Sequence, residues 1–424
     1  MPYDPRTDFL DEVYGILRAT APKYDFRQVG ERGKALGLLA LAEADDVQKR
    51  GEFPEWMVTG LRARIGAPLK TGQSASVATT LLVERYCAEF APAKTDSQTH
   101  VPPRFKEMSH AIPPMRHHSG GASRHNLTNF QHVMLNDDGT VGELTRKGAE
   151  LLAPLMAQAE PIHLPGHCFI GVAPGAVIYA HWILDTLPRL LQMRAAGLDL
   201  TRFDSLIFTD TRQGFHREVL DMLGIPFDRC YSRNKIGTFI SCDSFEMVSA
   251  PRKDHATHPS NFALLRAFFL GDFEPPKRPR RRLYISRQRS ERRRFVNGKE
   301  VGDVLLQRGF EEVFAEEHSI VEFARMMAEA ECVVSPHGAG LTNLVFCQPG
   351  TRVLEIFSAH ISPDYWRTSG QCGLDYHMLQ GRLKDGREPT PEVIATMPRA
   401  QLNGTGILVD LDRLTHYLDT VFLV

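Results

Sequence analysis

Three groups of residues have the types and spacing that chemistry requires. His181 and Asp185 stand four apart in Tyr179-Ala180-His181-Trp182-Ile183-Leu184-Asp185. On a helix that spacing puts both on one face, within touching distance. A carboxylate beside an imidazole fixes its tautomer and raises its basicity, which makes a general base. The same spacing also fits a helix start with a buried histidine and a surface aspartate. The second group is Pro336-His337-Gly338-Ala339-Gly340, which follows the apolar run Cys332-Val333-Val334 and precedes Leu341-Thr342-Asn343. This reads as strand, glycine turn and helix, with Val353–Phe357 as the next strand. Glycines there allow positive φ and a close backbone approach. A helix starting near Leu341 would turn unpaired N–H groups toward an anion such as a diphosphate, to which His337 can also donate. The plainer reading is an ordinary tight turn between a strand and a helix.

The third group is the run Lys277–Arg294, with ten Lys or Arg against one acid, Glu291. Such a run is commonly a solvated face or a polyanion-binding strip. Arg287, however, directly follows the predicted strand Arg282–Ser286, at the strand end where open α/β sheets bind ligands, and arginine suits bidentate phosphate binding. Two weaker candidates are set aside. His100, His110, His117, His118 and His125 invite a metal, but no carboxylate or cysteine stands at ligand spacing. Asp410-Leu411-Asp412 could hold a divalent ion on a nucleotide diphosphate, but a cap on the final helix is the better reading. No G-x-x-x-x-G-K-[ST], G-x-S-x-G or H-E-x-x-H occurs.

The elements that must position these groups follow from the pattern of the chain. Its 424 residues suffice for two or three domains, and 42% hydrophobic with 24% charged residues suits a globular protein. A net charge of −1 argues against a surface built as a nucleic-acid glove. No apolar run approaches the roughly 18 residues of a membrane span. The acidic N-terminus lacks a signal-peptide core, and seven cysteines without C-x-x-C suggest neither a disulfide framework nor a zinc ribbon. A cytoplasmic location is expected, with the inner face of the membrane as a peripheral alternative.

Residues 1–90 read as a helical extension, with pieces at Trp56–Ile65 and Val77–Phe90, offering a surface for a second subunit. Residues 91–129, rich in Pro, His and Gly, read as a linker. Residues 130–275 alternate strands (Cys168–Val172, Ala176–Tyr179, Ser205–Thr209, Phe239–Cys242, Glu246–Ser249) with helices (His181–Ala196, Phe215–Leu223, Asn261–Leu270). Residues 276–410 repeat the alternation, with a capping box at Ser319–Glu322, and 411–424 form a terminal helix. Alternation of this kind predicts an α/β fold with parallel sheets.

Three stretches in order resemble glycosyltransferase family 61, the bacterial capsular-polysaccharide-type transferases related to plant xylan and animal O-linked sugar transferases. They are Tyr179–Leu190 (YAHWILDTLPRL), then Leu283–Arg287 (LYISR) with Arg292–Asn297 (RRRFVN), then Pro336–Asn343 (PHGAGLTN) with Pro349-Gly350-Thr351 and Glu355. The resemblance spans about residues 165–360. It implies a GT-B-like architecture of two Rossmann-like lobes facing a cleft, an inverting reaction, and no required metal or cofactor beyond the nucleotide-sugar co-substrate. The partners implied are a nucleotide-sugar donor and a glycan or other hydroxyl acceptor, with no nucleic acid. On this reading the 276–410 lobe holds the donor. His337, Gly338, Ala339, Gly340, Leu341, Thr342 and Asn343 lie at the diphosphate, Arg287, Arg293 and Asn297 lie around it, and Glu355 lies at the ribose. The 130–275 lobe presents the base, His181 oriented by Asp185 or Asp185 itself. The rival is a non-catalytic module holding RNA or an anionic glycan on the Lys277–Arg294 strip.

Overall fold

The computed structural model describes residues 78–127, 132–135 and 161–424, except 107, 174, 237, 238 and 254. The helices expected before residue 78 lie outside these. Of the helix expected over Val77–Phe90, residues 78–90 are described and are not helical. Ala78–Val83 and Tyr86–Phe90 are strands. In the second, Ala88 and Phe90 are buried while Cys87 and Glu89 face solvent, so a period of two prevails over helix propensity. The stretch read as a linker also holds strands, Met108–Ile112, Met115–Gly120 and Ser123–Leu127. Its Pro113-Pro114 and Gly121-Ala122 pairs mark the turns between them. Ala176–Tyr179 is likewise not a strand, because a helix begins at Tyr179.

The described residues divide into two compact units. The first draws on 78–82, 115–177 and 193–249. Its sheet is mixed. Ile162–Ile170 pairs in parallel with both Phe239–Val248 and Ser205–Phe208, and Cys230–Ser232 extends the parallel part. Met115–Gly120 and Ser123–Leu127 share the other edge of Phe239–Val248, both antiparallel. A register shift between Cys242 and Ser244 accommodates the change. Leu164, Cys168, Ile170, Ile207, Ile240 and Phe245 form the core of this unit.

The second unit draws on 83–114, 178–192 and 250–424. Its sheet has five strands, β1 (Arg281–Ile285), β2 (Phe310–Val313), β3 (Ala330–Pro336), β4 (Arg352–Phe357) and β5 (Asp375–Gln380). They run in the order β2-β1-β3-β4-β5, all parallel. The chain leaves β1 in one direction and returns to its other side at β3. The sheet therefore opens a crevice at the carboxyl ends of β1 and β3, the place where ligands bind in doubly wound sheets. The Ser319 capping box is present, with Ser319 and Glu322 each bonding the other's backbone N–H. Asp410 caps Leu411–Tyr417 by accepting from Arg413 N at 3.1 Å, as the capping reading of Asp410-Leu411-Asp412 requires. That terminal helix buries Leu414, Tyr417 and Leu418 against Leu354, Ile356 and Leu379 of the sheet. Among the described residues no helix is long and apolar enough to cross a membrane.

The polar centre of the first unit is Glu246. It is 5% exposed and takes hydrogen bonds from His117 Nε2 (2.7 Å), His167 Nε2 (2.9 Å) and Arg202. Burial alone would raise its pKa, but these donors and the Arg202 charge bring it down from 4.5 to about 2. A carboxyl that binds its proton less tightly when folded adds stability above its ordinary pKa and loses it as pH falls toward the folded one. Resistance to urea should therefore fall as pH drops from 4.5 to about 2. In Glu246→Gln that decline should be shallower than in wild type; equal slopes would contradict the assignment.

Candidate functional site

The segment bearing His181 and Asp185 lies inside the stretch expected to form the 130–275 lobe, yet it belongs to the second unit. Helix α1 (179–195) is regular at both ends and widens to five-residue turns at Trp182–Thr186. Pro188 explains the widening: it donates no hydrogen bond and its ring would crowd the carbonyl of Leu184. Leu187 N accordingly bonds Trp182 O, five residues back. Tyr179 Oη donates to Asn343 Oδ1 at 2.8 Å, and Gln192 bonds Asn261, so the helix is fixed at both ends. His181 Nδ1 lies 2.7 Å from Asp185 Oδ2. Arg252 completes the group through Nη2 to the same oxygen at 2.8 Å and Nε to Oδ1. Burial would raise the Asp185 carboxyl, but the Arg252 charge and the hydrogen bonds from Arg252 and His181 hold it well below the usual carboxylate range. With Asp185 ionised, the neutral imidazole of His181 would donate through Nδ1 and present a lone pair at Nε2. Its side chain is 36% exposed, so that lone pair can meet a substrate.

The glycine turn sits in the crevice between β1 and β3. Neither glycine there has positive φ; Gly338 is extended, at φ 173°. Glycine is needed instead for close approach. A Cβ on Gly338 would overlap Arg287 Nη1, and one on Gly340 would press on Ile285. The turn leads into a tight 3₁₀ helix, Ala339–Phe346. Leu341, Thr342 and Asn343 within it are buried, and the Asn343 amide is committed to Tyr179 and to Gly340 O. Asn343 thus holds α1 and the turn together.

His337 is buried between the rings of Phe357, His360 and Tyr365, at centroid distances of 5.2, 5.2 and 5.5 Å. Its Nδ1 lies 2.5 Å from Glu355 Oε1, and Tyr376 donates to Glu355 Oε2 at 2.7 Å. Glu355 is fully buried, so it does not reach out to a ribose as the sequence suggested. Burial drives its pKa well above 4.5, and burial together with the charge of Arg293 lowers that of His337 to about 3. Both are then neutral. Glu355 donates to Nδ1, and a neutral ring whose Nδ1 accepts must carry its proton on Nε2. His337 is a fixed, uncharged donor.

Two half-buried arginines lie beside it. Arg287 is pinned by its own loop, Nη2 to Ser290 Oγ at 2.9 Å and Nε to Arg292 O at 3.3 Å, while Nη1 rests on Gly338. Arg293 has left-handed backbone (φ 55°), and its buried Nε has no hydrogen-bond partner. Among the described residues neither forms an ion pair. Burial lowers the pKa of both, and in Arg287 the charge of Arg293 adds to the effect. An anion between them would relieve that repulsion. Asn297 does not join them. Its amide bonds Val409 O and N at 2.8 and 3.0 Å, anchoring the loop in place of a strand partner. Three of the ten cations of the basic strip are paired with acids, Arg281 with Glu311 and Glu329, Arg282 with Glu331 and Arg289 with Glu317. The linker histidines are also engaged, His117 on Glu246 and His125 on Ser123.

The site thus combines a carboxylate-paired imidazole with two arginines and one neutral donor at the switch point of a parallel sheet. That is the equipment of a group-transfer enzyme acting on an anionic donor. Residues 179–354, from the start of α1 into β4, match the sequence model of the family described as Glycosyltransferase 61. That match covers under half of the chain and supports glycosyltransferase activity. No curated protein matches it.

Gly338→Ala tests the crevice. The displaced atom belongs to the flexible end of a side chain, so the protein should fold and melt within about 3 °C of wild type. Affinity for inorganic pyrophosphate should drop about tenfold as Arg287 moves. Unchanged affinity would remove Arg287 from the anion site.

Proposed function

We propose that the chain is an inverting, metal-independent glycosyltransferase that moves a sugar from a nucleoside-diphosphate donor to a hydroxyl of a glycan or other acceptor. The observation that carries this is the pair of half-buried arginines without counter-ions beside a neutral histidine donor. They meet at the carboxyl ends of β1 and β3, inside the span of the family match. The reaction assigned is a single displacement. His181 Nε2 removes the acceptor hydroxyl proton, the acceptor oxygen bonds to the anomeric carbon, and the bond to the diphosphate breaks. The electron pair leaves on the diphosphate, where Arg287, Arg293 and His337 Nε2–H stabilise it. Preorganised donors of this kind are the protein's means of holding charge that a metal ion holds in other transferases. Asp185, held by Arg252, keeps His181 in the tautomer that can accept the proton.

The wider setting is proposed on the family match and the parallel sheets. It comprises a GT-B arrangement of two Rossmann-like lobes, a role in bacterial surface-polysaccharide synthesis, and a cytoplasmic location or one at the inner membrane face. Self-association through the N-terminal residues belongs to the same proposal.

Transfer activity should fall about 10²- to 10⁴-fold in His181→Ala, with nucleotide affinity kept within about twofold. Arg287→Ala should weaken nucleoside-diphosphate binding roughly 10- to 100-fold. EDTA should leave the rate unchanged. Loss of nucleotide affinity in His181→Ala, or a rate restored only by added divalent ions, would refute the corresponding role.

A further inference from the structure

The hairpin 252–257, in which Arg252 pairs with Thr257 and Lys253 with Ala256, carries a second imidazole–carboxylate pair that the sequence did not announce. Arg252 reaches Asp185, as described. At the tip, His255 takes left-handed backbone at φ 68°, a conformation that glycine or asparagine adopts more readily. Its Nδ1 pairs with Asp364 Oδ1, and Ser362 Oγ donates to Asp364 Oδ2. Asp364 opens the helix Asp364–Cys372. The next residue, Tyr365, packs its ring 5.5 Å from that of His337, so the pair borders the anion crevice. Burial would raise the Asp364 carboxyl, but its bond from His255 and the nearby charges hold it well below the usual range. In its neutral form, His255 opposite this carboxylate donates through Nδ1. Its Nε2 then presents a lone pair, on a side chain 39% exposed and with no hydrogen-bond partner at that nitrogen among the described residues.

A lone pair is the wrong polarity for phosphate oxygens and the right one for a hydroxyl. The phosphate side is already served by donors, namely Arg287, Arg293 and His337. Two parts of a nucleotide sugar carry hydroxyl donors and adjoin its diphosphate, the ribose and the sugar to be transferred, and only the second is missing from the free nucleoside diphosphate. We propose that His255, oriented by Asp364, accepts a hydrogen bond from a hydroxyl of the transferred sugar and so helps select the donor. This rests on the functional reading above.

The test compares wild type with His255→Gly and Asp364→Asn. Glycine relaxes the turn, so lost binding in that variant cannot be ascribed to a strained or unfolded hairpin. Calorimetry would measure affinity for UDP and GDP and for their hexose, pentose and N-acetylhexosamine conjugates. The expected result is that both variants bind the preferred conjugate about tenfold more weakly, while the nucleoside diphosphate itself changes by less than about twofold. Equal loss for both ligands would place His255 at the ribose or the diphosphate and overturn the proposal. Unchanged affinities would overturn it too, and if turnover collapsed at the same time His255 would be a base. Failure of wild type to bind any nucleotide would overturn the functional reading beneath it, and this proposal with it.

Discussion

The hydrogen bond from Glu355 to His337 is the contact on which the polarity of the site depends. Glu355 is fully buried, and the groups bonded to it are His337 and a tyrosine hydroxyl rather than a cation. It therefore keeps its proton, and that proton forces the imidazole to expose an N–H. Asp185 is the same kind of group in the opposite state. Arg252 binds both of its oxygens and keeps it ionised, so the imidazole beside it exposes a lone pair. Asp364 does likewise for His255. Three imidazole–carboxyl pairs thus yield one donor and two acceptors, and the difference lies in burial and in the placement of guanidinium groups.

That division suits a displacement in which charge moves from an acceptor oxygen to a leaving diphosphate. Groups that take a proton or a hydroxyl hydrogen bond belong on the sugar and acceptor side. Groups that give hydrogen bonds or carry positive charge belong on the diphosphate side. The sheet order supplies the geometry. β1 and β3 are neighbours in register, Tyr284 against Val334, so Arg287 and His337 leave the sheet at one level. Gly338 then lets the guanidinium lie on the turn itself.

Part of this was legible in the sequence, for identifiable reasons. His181 with Asp185 and the strand–turn–helix around Gly338 are local patterns, and spacing alone places their members together. The α/β alternation was readable because β3 and β4 of the second unit hold short, buried apolar runs. Arg252 was not readable, since it meets Asp185 across 67 residues of chain. Neither was His255 with Asp364, from a hairpin tip and a helix start with no common periodicity. Glu355 and Asn297 were assigned to the ligand because sequence gives residue type and not depth; the first is sealed under His337, and the second substitutes for a backbone partner of Val409. The strands at 78–90 were misread because Leu81, Leu82 and Val83 also suit a helix, and only their pairing decides.

The central claim is that uncompensated arginines and a neutral histidine at the ends of β1 and β3 hold the donor diphosphate. A crystal structure of the full chain with bound UDP or GDP tests it most directly. The account predicts diphosphate oxygens within hydrogen-bonding distance of Arg287, Arg293 and His337 Nε2. A diphosphate seated elsewhere, with these three side chains still vacant, would contradict it.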